Sequence, residues 1–362
     1  MLASELKFKN ITILLLSVIL FFWSTTTLAQ CWTSDLSEDE QLAVTRETFE
    51  TQLFAESIEA AKCYLDEFPL GNSREEMLYL KAESLRNSGK LNDAIKGYDE
   101  LMISFPVSSE YLEKIMFHKG VLQARIEKYS DSMNSLKIFL LKFPYSSYSD
   151  EAYYWLGYAT SYHAELLRLK NKEMALPEFE ASTMHFVKSN PESLNETQQL
   201  ERLHLLGRAW WFLEDITRAA ETWEKYFYYS NSISQEDALS LKLQLATRFQ
   251  KDKNYGQAEK WYGRITKDHP GSELATSSFF WTAEMAYAKA VKQEKAKILN
   301  SNSMKGLVKQ YQKYLKKNDN EHLALTYYRI GVLHRSHQPN KSISAFNEYI
   351  STKDETYLNE VL

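Results

Sequence analysis

The chain has 362 residues, 44% of them hydrophobic and 25% charged, with a formal net charge of −5. Values at this level are those of a folded soluble protein and exclude a low-complexity chain. Glycine (11) and proline (7) are sparse and no run alternates in a strand-like way, which points to an all-α protein.

At the N-terminus, Lys7 and Lys9 precede an uncharged apolar run from Ile11 to Trp23, followed by Ser24-Thr25-Thr26-Thr27-Leu28-Ala29-Gln30-Cys31. A short basic region, a short apolar stretch and a small-residue cleavage site describe a signal peptide over residues 1–29. The apolar run is shorter than the roughly 20 residues a membrane-spanning helix needs. Leu28-Ala29-Gln30-Cys31 resembles a bacterial lipoprotein box, but Gln30 departs from the small residue that box wants before its cysteine. The ordinary cut after Ala29 is the preferred expectation. Cys31 and Cys63 are the two cysteines of the chain. In an exported protein they meet an oxidising environment, and Cys63 falls near the end of a helix beside which Cys31 should lie. A Cys31–Cys63 disulfide is one expectation; a buried Cys63 with a lipidated or free Cys31 is the other.

From there a fixed spacing recurs. Four segments end alike: LFAESIEAAKCYLDEFP (53–69), LNDAIKGYDELMISFP (91–106), KYSDSMNSLKIFLLKFP (128–144) and NYGQAEKWYGRITKDHP (254–270). In each, a small residue (Ser57, Ala94, Ser132, Ala258) stands twelve positions before the proline, and Ala61, Tyr98, Leu136 or Tyr262 follows it by four. In three of them a second small residue (Ala82, Gly120, Ala246) lies twelve positions earlier. Such a period marks an array whose units bury their apolar faces against neighbours. Small residues let two antiparallel helices approach, the bulkier residue a turn later fills the gap, and the proline closes the unit. A fifth copy keeps Gly207, Ala219 and Trp223 in register, and an eighth keeps Gly331, Ser342 and Phe346. Anchors near 57, 94, 132, 179, 219, 258, 307 and 342 give two long intervals, of 47 and 49, expected to reflect insertions in helix–helix turns.

This pattern resembles the tetratricopeptide repeat superfamily over residues 30–355. The resemblance implies an α-solenoid, a right-handed superhelix of about eight helical pairs, whose first helices line a concave protein-binding surface. Residues 356–362 read as a terminal cap or the start of a ninth repeat. A unit closing in Phe143-Pro144-Tyr145-Ser146 and the next opening in Ser149-Asp150-Glu151-Ala152, then Tyr154-Trp155-Leu156-Gly157, is similar in style to bacterial envelope tetratricopeptide proteins. Among these are the outer-membrane assembly lipoprotein and the Tol–Pal coordinator.

On the first helix around Gly157, Tyr154, Tyr158 and Tyr162 form a stripe at i, i+4 and i+8, and His204, Arg208 and Trp211 fall on the equivalent stripe of the next unit. These six are the expected partner-binding residues, with core packing as the alternative. Charge is uneven. Residues 35–67 carry ten acidic and two basic side chains, and residues 288–317 carry nine lysines and one glutamate. The region from Lys289 to Lys317 is a candidate for membrane or cell-wall contact, against the plainer reading of a solvated face. Nucleic acid is a poor fit, because few stacking aromatics are interleaved with these lysines.

Catalytic signatures are missing: the sequence has no phosphate-binding glycine loop, no HExxH and no nucleophile elbow. His334 and His337 form the one close histidine pair, without a third ligand nearby. No enzyme activity, cofactor or metal is expected. The expected function is an exported scaffold for protein partners. The alternatives are the helical module of a lytic-transglycosylase-like enzyme and a structural spacer.

Overall fold

The computed structural model describes residues 31–106, 110–229, 234–294, 301–317 and 319–361. The expected leader, residues 1–29, and part of the lysine-rich stretch lie outside the described residues. The helices are α1 (Glu38–Glu50), α2 (Phe54–Glu67), α3 (Arg74–Asn87), α4 (Leu91–Ser104), α5 (Leu112–Arg125), α6 (Tyr129–Lys142), α7 (Ser149–Lys170), α8 (Lys172–Lys188), α9 (Glu196–Phe212), α10 (Ile216–Tyr229), α11 (Gln235–Lys251), α12 (Tyr255–Asp268), α13 (Glu273–Glu294), α14 (Ser301–Leu315), α15 (Leu323–His334), α16 (Pro339–Ser351) and the single turn α17 (Leu358–Val361). No strand occurs among the described residues. The chain divides into two units, one running to Leu194 with α1–α8 and one from Asn195 with α9–α17. Each unit is a tetratricopeptide-type α-solenoid of four helical pairs.

Local chemistry sets the boundaries. Five pairs turn through three residues whose middle one is left-handed: Gln52, Gly89, Glu127, Glu214 and Lys253, with φ of 63°, 78°, 62°, 62° and 56°. The residues before the four repeat prolines (Phe68, Phe105, Phe143 and His269) leave the helical region, with φ between −118° and −132°. A proline ring disfavours helical geometry in the residue before it, so each second helix stops there.

Packing inside a pair is a trade of volume. Where the first helix offers glycine, the second brings a large apolar side chain over it: Leu136 over Gly120, Phe186 over Gly157, Trp223 over Gly207 and Phe346 over Gly331. A methyl group on Gly120 would stand 2.6 Å from Leu136, and one on Gly157 2.7 Å from Phe186. Where the first helix offers alanine, the partner is tyrosine: Ala82 with Tyr98, Ala246 with Tyr262, Ala283 with Tyr311, all buried. Small serines on the second helix close the contact. The hydroxyls of Ser132 and Ser342 donate to the carbonyls of Gly120 and Gly331, each at 2.8 Å.

The fourth pair corrects an expectation. Its register residue on the second helix is Ser182, with Phe186 over Gly157, not the position near Phe179 that the spacing suggested. Nor are the extra residues a loop, since Asn171 alone separates α7 from α8. The extra length is helical: α7 has 22 residues and α8 has 17, against 14 in each of α3–α6. Ala164, Ala175 and Phe179 are buried along this extension, which makes a continued coil more stable than an open loop.

Adjacent pairs are joined by a recurring ring stack. The residue three before the register position of a first helix stacks on the residue that opens the next first helix. The pairs are Tyr79 on Tyr111 (4.0 Å), Phe117 on Tyr148 (4.7 Å), Phe280 on His322 (4.1 Å) and Tyr328 on Tyr357 (4.2 Å). The hydroxyls of Tyr314 and Tyr349 accept the backbone N–H of His322 and Tyr357 at two of these junctions, and that of Tyr64 accepts the N–H of Ser73 between the first and second pairs. Tyr357 makes both contacts, so α17 docks on α15 and α16 the way a next first helix would begin. Glu360 adds bonds to the Tyr328 hydroxyl and to Arg335.

Candidate partner-binding surface

On three first helices the residue just after the register position is charged and reaches the next pair: Arg46, Glu83 and Glu284. Arg46 forms a two-pronged ion pair with Glu76 at 2.5 and 2.6 Å. Glu83, 1% exposed, is gripped by the Tyr98 hydroxyl, by Arg86 at 2.9 Å and by His118 at 3.1 Å, with Lys114 at 3.7 Å. Burial penalises this carboxylate, yet His118, Tyr98 and Arg86 together hold it down at about 2. The Tyr98 hydroxyl is pushed far up by burial and by Glu83. The same clasp recurs in the second unit. Glu284 takes the Tyr311 hydroxyl and both prongs of Arg329, at 3.0 and 3.2 Å. His118 and Arg329 hold the same place, two residues before Gly120 and Gly331. Carboxylates this well satisfied bind neighbouring pairs together and are poor candidates for a ligand or general base.

The expected tyrosine stripe is only partly a surface. Tyr154 is fully buried, because it lies three before Gly157, at the position whose rings pack into the core in most pairs. It packs edge-on to Trp155 at 5.2 Å and is removed from the surface set. Tyr158 and Tyr162 are half-buried and stand in a ring ladder within the first unit. Trp155 meets Tyr158 at 5.3 Å, Tyr158 meets Tyr162 at 4.7 Å, and Tyr162 stacks on Tyr129 at 5.5 Å with planes 13° apart. The exposed guanidinium of Arg125 lies 5.4 Å over the Trp155 ring, and the Trp155 indole N–H donates to Glu151 at 3.2 Å. Rings in such a ladder are rigid and amphipathic, with a cation at one end.

His204, Arg208 and Trp211 lie on α9 in the second unit, so the six expected residues are divided between the two units. All three are half-buried. Trp211 leans on Trp223 at 5.9 Å and packs against the core of that unit. His204 lies 5.3 Å from Tyr226; burial, aided by Arg208, lowers its pKa to about 4. His185 on α8 is likewise lowered to about 4, by burial and then by Lys137 and Lys188.

A disulfide joins Cys31 and Cys63, with Cα atoms 5.5 Å apart. Gln41 strengthens the same corner, donating to the Thr33 carbonyl at 2.9 Å and to Glu67 at 2.6 Å. In the lysine-rich stretch, Lys289 pairs with Glu259 at 3.1 Å, Lys292 donates to the Lys253 carbonyl at 3.3 Å, and Lys317 lies 4.5 Å over Phe279. Among the described residues no group of three or more histidine, cysteine or acidic side chains has the arrangement of a metal site.

Sequence reading overlooked Trp155, Tyr129 and Arg125 in the ladder, and both glutamate clasps. The register held a usable signal for the clasps: a glutamate directly after Ala82 and Ala283, with a tyrosine four after the second-helix anchor. Tyr129 and Arg125 carried no such signal, since they meet α7 only through the packing of successive pairs.

A scan of family models and a search of curated proteins find no match. Solved structures give distant likenesses. MamA from Desulfovibrio magneticus RS-1 shares 17% identity at a TM-score of 0.41, over 55% of this chain and 97% of that one. A tetratricopeptide repeat protein from Parabacteroides merdae shares 13% at 0.32, over 90% and 97%. The TPR2AB domain of yeast Sti1, solved as a pHSP90 complex, shares 12% at 0.38, over 80% and 96%. These are similarities of helical pairing; the tetratricopeptide-type fold rests on the register described above.

Proposed function

We propose that this protein is an exported scaffold of the bacterial cell envelope that captures a protein partner on the first-helix side of its first unit. The observation that carries this reading is the ring ladder Trp155–Tyr158–Tyr162–Tyr129 with Arg125 at its end. Tyr158, Tyr162 and Tyr129, half-buried and held against buried Trp155 and one another, lose little freedom when a partner covers them, and the exposed guanidinium of Arg125 can pair with a carboxylate. Arg208 and Trp211 extend the proposal to the equivalent face of the second unit. Export is supported by the basic, apolar and small-residue sequence of residues 1–29.

The test is capture from envelope extracts by chemical crosslinking. Tyr158→Ala and Arg125→Ala should each weaken capture about tenfold or more while helicity and melting temperature stay close to the parent, as expected for truncation at a binding hot spot. If both substitutions lower the melting temperature by many degrees and leave capture intact, the ladder is core and the reading falls.

A further inference from the structure

Beside the α11–α12 turn, in the second unit, lies a pocket that partner capture does not use. Helix α13 runs 11 residues beyond its register residue Ala283, whereas α11 runs 5 beyond Ala246. At 1.5 Å per residue α13 therefore continues about 9 Å farther and walls one side of that turn. The first unit has the same arrangement, with the long α7 passing the α5–α6 turn and Tyr162 stacked on Tyr129. Tyr129 and Tyr255 each open a second helix, and Tyr162 stands five residues after Gly157. Five residues after Ala283 stands Ala288, so the ring that fills this place in the first unit has no counterpart in the second. A pocket of about 630 Å³ remains, lined by Asp252, Lys253, Tyr255, Gly256, Lys289 and Lys292 among others.

Its charge is not balanced. Asp252 is neutralised by Arg248 at 2.9 Å, and Lys289 by Glu259 at 3.1 Å. The Lys292 ammonium meets neutral groups, the Lys253 carbonyl at 3.3 Å and the Tyr255 ring at 5.7 Å. One carbonyl occupies one of its three donors. Among the described residues no carboxylate pairs with Lys253 or Lys292, and both side chains are exposed. Two ammonium charges are thus uncompensated at one pocket. A Cβ on Gly256 would lie 3.8 Å from the Cε of Lys289, so the glycine leaves the space beside that lysine open.

We infer that this pocket binds a phosphate monoester, with Lys253 and Lys292 on the phosphoryl oxygens and Lys289 at their side. A phosphate monoester carries about −1.5 to −2 at neutral pH, which matches the two charges left over. Its three terminal oxygens suit several ammonium donors, and the remaining volume accepts a small alcohol against the Tyr255 ring. The site belongs to the second unit alone, so it stands whether or not the ladder of the first unit captures a protein.

Titration of the full chain with glycerol phosphate, followed by phosphorus NMR, should show saturable binding that weakens with salt. The Lys253→Gln, Lys292→Gln double variant should weaken it about tenfold or more, as loss of two charge-assisted contacts requires. Lys267→Gln, exposed in the last turn of α12, should leave it unchanged. Ala288→Tyr should also weaken binding, by filling the pocket as Tyr162 does in the first unit, with circular dichroism unchanged. Vesicles containing phosphatidic acid distinguish the source: displacement of glycerol phosphate assigns a lipid headgroup, and no displacement assigns a soluble ester, the site standing in both cases. Equally tight binding of succinate at matched ionic strength overturns the proposal. So does an equal loss in Lys267→Gln, unchanged binding in both the double-lysine and Ala288→Tyr chains, or no saturable binding of either phosphate source.

Discussion

Single side chains in this fold are chosen by what stands opposite them. Glycine on the first helix faces Leu136, Phe186, Trp223 or Phe346, and alanine faces tyrosine, so a small residue on one helix is met by a large one on the other. The hydroxyls explain the tyrosines: Tyr98 and Tyr311 reach buried glutamates, which a phenylalanine would leave short of a donor. Histidines add a pH dependence. His204 and His185 have pKa values near 4 in the fold, against an ordinary value near 6.5. A base with a depressed pKa is penalised when protonated, so stability should be full above pH 6.5 and decline as pH falls toward 4. Between pH 7.5 and 5 such shifts would cost about 2 kcal/mol per histidine if fully buried; solvent screening at two half-buried sites brings the pair to about 2 kcal/mol together. Glu83, held near 2, keeps its charge throughout that window. Thermal unfolding of the His185→Gln, His204→Gln double variant should show a shallower pH slope than the parent; an identical slope would remove these two histidines as the cause.

At the level of helices and turns, nearly every repeat boundary was legible. Prolines at a fixed offset stop the second helices, and the small-residue spacing places the pairs. The turns inside the pairs carry strain that the sequence hid, because four of the five left-handed turn positions are Gln52, Glu127, Glu214 and Lys253 rather than glycine. A left-handed residue with a side chain costs about 1–2 kcal/mol, and only Gly89 avoids it. Nothing lies within 4 Å of a side chain added at Gly89, so Gly89→Ala isolates the backbone effect. It should lower stability by about 1 kcal/mol, and Glu127→Gly should raise it by up to about 1 kcal/mol. Chemical denaturation measures both; an unchanged midpoint for Gly89→Ala would mean the turn relaxes to another conformation. The fourth pair was misread at this scale. Inserted residues rich in leucine and lysine carry good helix formers, and they lengthened two helices instead of opening a loop.

Over the whole molecule, an array stabilised by neighbour contacts responds locally to a local change. The Cys31–Cys63 bond closes a loop with a sequence separation of 32 onto the first pair. On the chain-entropy account such a loop contributes about 3 kcal/mol. Reduction should therefore speed amide exchange in α1 and α2 by about a hundredfold while α15 and α16 keep their protection, measured by hydrogen exchange and mass spectrometry. Uniform loss of protection along the chain would show one cooperative body in place of a stepwise array.

Sequence alone determined the helical class, the pairing of helices, the register of small and bulky residues and the proline stops. All of these follow from short-range spacing, which a chain carries within about forty residues. Tertiary structure decided which tyrosines are surface and which are core, since Tyr154 and Tyr158 share one stripe yet only Tyr154 is fully buried. It also decided the partners of Glu83, drawn from three helices, and of Glu284, drawn from two, and the exposure of Leu166, Leu169 and Met174 to solvent. Those outcomes depend on how one pair sits against the next, and helical periodicity on a single element does not contain that information.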